Sequence, residues 1–343
     1  MNKVAYLLLK SIIIFLFFTG CTHDPLKVDV SNIHLNLESI RLDEEIFNAD
    51  WNSPQETNRK LYAQYGEYYK FYAQFILNNQ LSIESPDMGK YIAGFATDNT
   101  MRGFYNAIDS RYGNEKFIPY LKELEKAFKH FKHYYPGEPI PVVFTFQSGF
   151  NYKVVPNDTL LGLGLEWYIG SENELVKRLS GQVFPAYEKS KMLPEYLVVD
   201  GIKGFLKVKY QDKLTMENLL NVMVFYGKIM YFTDAMLHDK PDAVKMNYTV
   251  EQWKWCEENQ KLIWIYLAEN NLLFDSSMRE ISKWVNDGPF TSGLPQESPS
   301  RVGIWMGWQM VRQYMDKHPE TTLVQMLEIE DDSKFLNSYK PSG

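Results

Sequence analysis

"ESPSRVGIWMGWQMVRQYM", Glu297 to Met315, is the stretch on which the architecture turns, because it is apolar enough to suggest a membrane span. The spacing predicts a helix over 299–317, with Ser298 as its cap and Pro299 in its first position. At about 100° per residue, Arg301, Trp305, Trp308 and Arg312 fall within an arc of roughly 60°. Gly303, Gly307 and Met310 lie opposite, with Ile304, Val311 and Met315 between. Apolar surface wraps most of the helix, so protein should enclose it. Gly303 and Gly307, one turn apart, leave room for a second backbone. The run from Val302 to Met315 is only about 14 residues and holds Gln309 and Arg312, whereas a span needs about 20 apolar residues. The stretch is therefore a core helix of a globular chain. Arg301 near the helix start opposes the dipole and requires its own partner, a buried carboxylate or carbonyls. Its face with the tryptophans reads as an arginine–carboxylate clamp in the core or as one wall of a ligand cleft.

Upstream, helical spacing continues over about 172–183, 193–210, 215–237, 249–270 and 276–286, and downstream over 320–330. Pro194 opens the second of these and Thr215 caps the third. Earlier helices are predicted over 55–79 and 115–133. The β signal is confined to 140–149, 150–155 and 159–170, with an early strand from Ile33 that turns into a helix near "LDEEIF". "LGLGLEW" reads as a strand with a close backbone approach, and places Glu166 as a paired core carboxylate or at a strand end. No repeat or long linker interrupts the chain. The expected fold is α+β and predominantly helical, one domain over 33–343 with a small mixed sheet packed on helices.

The N-terminus is a different kind of segment. "MNKVAYLLLKSIIIFLFFTGC" has a basic start, an apolar run and small residues before Cys21, which marks residues 1–20 as a signal peptide. Its "FTGC" ending resembles a bacterial lipobox, with lipid expected on the thiol and amine of Cys21 and a tether over 21–32. Several acyl chains anchor a protein without a spanning helix. Without the leader, 34 basic face 43 acidic residues, a net charge of −9. An acidic chain without basic runs is a poor partner for nucleic acid. The remaining thiol, Cys256, lies in an aromatic helical pattern and reads as a buried core cysteine.

Sites of recognisable chemistry are few. The chain has no HExxH, no GxxxxGK[ST], no strand-linked GxGxxG and no GxSxG. His130 and His133 read as solvated histidines at a helix end, where cations suit the dipole. No metal or cofactor is expected. The candidate site residues are Glu166, Asp200, Arg301, Trp305, Trp308 and Arg312.

Several long segments, "KMLPEYLVV", "VFYGKIMYFTDAML", "YTVEQWKWCEENQKLIWIYLAENNLLF" and the opening stretch among them, resemble the gliding-motility lipoprotein GldB family from about residue 30 to the end. The resemblance implies an envelope lipoprotein held to a membrane through Cys21 on its periplasmic side. It also implies contacts with other proteins of the gliding and type IX secretion apparatus without defining a molecular activity, and a non-catalytic role is expected. The family is distantly similar to predicted zinc proteases that share a "GPFT…SPGRxGxxxGW" pattern, here "GPFTSGLPQESPSRVGIWMGW" with Ser300 in place of Gly. That implies a degenerate zincin-like fold. "EYLVVDGIKG" stands where HExxH belongs, and Lys228 stands where a downstream Glu ligand belongs, so the metal motif is missing. The alternatives are a hydrolase using Glu166, Asp200 or Arg301, and a glycan- or peptide-binding lipoprotein that stacks its ligand on Trp305 and Trp308.

Overall fold

The computed structural model describes residues 24–342. The expected signal peptide and the expected lipidation site at Cys21 lie outside them. Leu26 and Val30, in the segment expected to be a tether, are buried against the body.

Four short strands form one mixed sheet in the order β1 (Ser39–Arg41), β2 (Val142–Phe146), β4 (Leu160–Gly164), β3 (Val154–Pro156). β2 pairs parallel with β1 and β4, while β3 runs antiparallel along the edge of β4. The early strand is thus 39–41, later than Ile33–Leu37, and Leu42 begins α1 (Leu42–Phe47) directly. Side chains alternate across a pleated strand, so each face of this sheet carries its own core. Phe144 and Phe146 point to one face and pack under α1, α2 (Pro54–Phe71) and α3 (Pro86–Thr97). Val143, Leu161 and Leu163 point to the other, under α5 (Ile118–Tyr134), α6 (Leu197–Lys209) and α7 (Leu219–Met236). The alternating glycines of "LGLG" follow from this. A Cβ on Gly162 would sit 2.7 Å from the Phe144 ring, and one on Gly164 would sit 2.4 Å from the Tyr152 carbonyl oxygen.

The fold class is the expected one: predominantly helical, with a small mixed sheet. α3 and α4 (Asn99–Tyr112) were not expected, although Ser85 before Pro86, and Asp98, cap them through their side chains. The cap of α7 is Asn218, not Thr215. α8 (Val250–Glu269) buries Cys256 as expected, and α9 (Met278–Val285) follows it. His130 is buried and not solvated, its ring 4.9 Å from that of His238. Burial, and then His238, push its pKa down to about 4. His133 is exposed.

The opening stretch is α10 (Val302–Lys317), and it starts three residues later than its sequence suggests. Ser298 and Pro299 belong to a turn closed on Thr291, whose hydroxyl donates to the Pro299 carbonyl at 2.7 Å and accepts from the Val302 N–H at 3.2 Å. Thr291 therefore satisfies the first free N–H of the helix from outside the chain segment. α10 crosses α7 at glycine on both sides. A Cβ on Gly307 would lie 1.8 Å from the Met223 carbonyl oxygen, and one on Gly227 would lie 2.3 Å from that of Gly307. Gly303 meets the Trp284 backbone of α9 in the same way, at 2.8 Å. Gly307→Ala is expected to destabilise the fold by about 3 kcal/mol, because neither backbone has room to yield. Gly94→Ala, in α3 with nothing within 4 Å of the new methyl, should gain about 0.5–1 kcal/mol. Urea melts of the two variants check the contrast, and equal effects would refute the contact.

Candidate electropositive cleft

A cleft of about 350 Å³ opens between α6, the edge strand β3 and α7, and is closed at one end by the start of α10. On α6 one face supplies Asp200, Lys203, Gly204 and Lys207, spaced three, four and seven residues on. Gly204 lets β3 come close, since a Cβ there would stand 2.9 Å from the Val154 side chain. Lys153 lies beside it, in the residue just before β3, and α7 contributes Tyr226, Ile229 and Met230. Asn247, Asp287 and Arg301 arrive from loops or helix ends.

The charges are interlocked. Asp200 receives Lys153 at 2.6 Å and Lys203 at 3.2 Å. It also accepts from the Asn247 amide at 3.0 Å and the Tyr168 hydroxyl at 3.2 Å. Burial by itself would raise its pKa, but the two ammonium groups hold the carboxyl well below the usual carboxylate range. Asp287 is shared by Arg301, 3.0 Å away, and Lys191. Against the effect of burial, that pair holds it down to about 2. The lysines move the other way. Burial pushes Lys203 down to about 8; Asp200 resists, and Arg301 and Lys153 repel. Lys191 is pushed down to about 8 by burial and then by Arg301, with Asp287 resisting.

Arg301 meets its need for partners twice, through Asp287 and through the Met246 carbonyl, to which its guanidinium donates at 2.5 Å. Its backbone is left-handed, φ 63°. Six described non-glycine residues have such a φ, four of them Asn, which tolerates it; the other two are Arg301 and Phe150. Phe150 marks the second place where backbone is bent to serve an ionisable group. It follows Gly149, also left-handed, and turns its N–H onto Glu166 Oε1 at 3.1 Å. The N–H and hydroxyl of Ser148 donate to the same oxygen at 2.7 and 2.9 Å. Glu166 is fully buried, and burial outweighs these bonds, raising its pKa to about 7. No cation pairs with it among the described residues.

The residues singled out in the sequence thus separate. Asp200 and Arg301 share the cleft, and Glu166 lies outside its lining. Trp305 and Trp308 are buried, each edge-on to Trp253 at 5.9 and 5.7 Å. Their rings offer no face to a glycan or peptide, so the stacking wall does not form. Arg312 stacks on Trp308 at 3.8 Å and pairs with Asp234 at 2.5 Å and Asp242 at 2.7 Å, a clamp within the body. Lys228 does not face the cleft. It donates to the Ile329 carbonyl at 2.6 Å and lies over the Phe335 ring. Lys153, Lys191, Lys203, Lys207, Asn247 and Asp287 were missed. Lys203 and Lys207 share a helical face with Asp200 and were legible; the others come from distant loops.

The family model of the gliding motility protein GldB matches residues 23–341, so it takes in every residue that lines the cleft and the glycine crossing of α7 and α10. The chain belongs to the GldB family. No curated protein and no solved structure matches it. Membership makes it a gliding-motility-associated protein of a lipoprotein family of the cell envelope. No described helix is long and apolar enough to cross a membrane.

Glu166 carries a testable pH dependence. Its folded pKa lies above its ordinary value, so the folded state holds a proton that the unfolded state releases as pH rises from about 4.5 to 7. Stability is lost across that window. Glu166→Gln, which keeps an acceptor for all three donors, should gain about 3 kcal/mol relative to the wild type between pH 4.5 and 7.5. Urea melts at the two pH values measure this, and a difference independent of pH would exclude it.

Proposed function

We propose that the chain is a non-catalytic envelope lipoprotein of the gliding apparatus, linked to type IX secretion. In this reading it is anchored by lipid on Cys21 at the periplasmic side of a membrane. It works by contact with other envelope proteins, on a zincin-like scaffold that has lost its metal. The observation that carries the reading is the face of α6 inside the cleft. A zinc-protease helix presents two imidazoles one turn apart with a Glu beside the first. Here the same spacing reads Val199-Asp200-Gly201-Ile202-Lys203, and the Lys203 ammonium pairs with Asp200 where a second imidazole would stand. A fixed ammonium repels a divalent cation from the carboxylate it already occupies. Among the described residues no three His, Cys, Asp or Glu side chains are grouped to hold a metal. The sheet supports the scaffold reading, since an antiparallel edge strand runs beside that helix.

The purified full chain is expected to carry no stoichiometric zinc and to leave casein intact. A strain whose sole copy is Cys21→Ala is expected to lose surface spreading while still making the protein. Stoichiometric zinc with hydrolysis, or full spreading by the Cys21→Ala strain, overturns the reading. Crosslinking in the complemented strain identifies the neighbours.

A further inference from the structure

The cleft has a charge balance unlike the rest of the molecule. The chain as a whole is acidic, with a formal net charge of −7. Five cations line this one hollow: Lys153, Lys191, Lys203, Lys207 and Arg301. They face two carboxylates, Asp200 and Asp287, which leaves three positive charges in excess. A second, partly buried cluster shows what a purely structural network looks like. There Arg312 and Lys245 meet Asp234 and Asp242, two cations against two anions, and each side chain contacts two of opposite sign. Nothing remains for a ligand to neutralise. In the cleft both carboxylates are already shared between two cations each, and Lys207 rests over the Tyr226 ring, 5.4 Å from its centre.

Lys191, Lys203 and Arg301 are largely withdrawn from water, Lys153 only partly, and Lys207 is exposed; like charges so withdrawn are costly unless something of opposite sign completes them. The depressed Lys203 and Lys191 show that cost: burial and the neighbouring cations both act against their charged forms. An ammonium has three donors, and Lys153 directs a short contact to only one carboxylate, so donor capacity remains. Part of the wall is apolar, with Val154, Ile229, Met230 and Ile304 facing the same space. A volume of about 350 Å³ lies in the range of small-molecule sites, roughly 300–1,000 Å³. The left-handed backbone of Arg301 fixes a guanidinium at the rim, and guanidinium geometry suits planar and tetrahedral oxyanions.

We propose that this cleft binds a small organic oxyanion, a carboxylate or phosphate group carried on an apolar body, with the head group among Lys153, Lys203 and Arg301 and the body against α7. The proposal stands apart from the gliding role and from the absence of catalysis, and its failure leaves both untouched.

Isothermal titration of the full chain in detergent, at physiological salt, tests it with three probes: inorganic phosphate, phenyl phosphate and phenylacetate. At least one phenyl compound is expected to bind saturably at one per chain and at least tenfold tighter than inorganic phosphate. Whichever of the two binds tighter identifies the head group. Lys207→Glu, an exposed change, and Lys153→Gln should each weaken that binding by tenfold or more. Lys126→Gln, at an exposed pair with Asp239 outside the cleft, should leave it unchanged. Circular dichroism of each variant confirms folding before titration. No saturable binding of any probe, or undiminished binding in both folded cleft variants, overturns the proposal. Inorganic phosphate binding as tightly as the phenyl compounds overturns the apolar half of it.

Discussion

The backbones of α7 and α10 touch because glycine stands on each side of their crossing. Side chains normally hold packed helices 8–10 Å apart, and removing them at Gly227 and Gly307 brings the axes closer than any other residue would allow. α10 is then buried over most of its length, and α7 has almost no solvent face. The crossing also sets the cleft. Tyr226, Ile229 and Met230 flank Gly227 and form one wall, while Arg301 lies just before the first turn of α10 and forms the rim. A change in the spacing of the two helices would move the rim relative to the wall. Thr291 holds that rim in place by joining the Pro299 carbonyl to the first N–H of α10.

Charge is handled in three distinct ways inside this body. At Arg312 it is balanced and stacked on an indole, which keeps a guanidinium inside without an excess. At Glu166 a lone carboxyl is surrounded by donors from a bent turn, and burial favours its neutral form. In the cleft the carboxylates stay ionised while the lysines bear the electrostatic strain. The two unusual left-handed residues, Phe150 and Arg301, serve the second and third arrangements, where backbone conformation is spent on aiming a donor. The first needs no such bend, because its partners come from the last turns of α7 and from the start of the short helix Asp242–Met246 that follows.

The fold was readable wherever local pattern and burial agree. α10 showed itself by apolar surface on all sides, and the strands by short β-rich runs between turns. Its true start was hidden, since the Ser298-Pro299 signal is genuine turn chemistry that Thr291 claims for a different purpose. α3 and α4 carry clear caps, so their omission was a failure to weigh Ser85 and Asp98. His130 looked solvated because helix-end position says nothing about what packs there, and His238 comes from more than a hundred residues away. The cleft was half legible for the same reason. Helical spacing joins Asp200 to Lys203 and Lys207, but only the tertiary fold brings Lys153, Lys191 and Asp287 to them. The aromatic face was overread: Trp305 and Trp308 are large enough to look like a binding wall and are used as core.

What this cleft can attract is decided by the order in which its charges are satisfied. Asp200 has two ammonium partners and two hydrogen-bond donors before any ligand arrives, so its carboxylate is not available to a second cation. A divalent ion would have to displace two lysines and would meet Arg301 beyond them. An anion meets no such opposition, because each carboxylate is already screened by the cations on either side of it. The Lys203 ammonium on α6 therefore does more than pair with Asp200: with its neighbouring cations it sets the sign of the charge this hollow presents, between the edge strand and the glycine crossing that shape it.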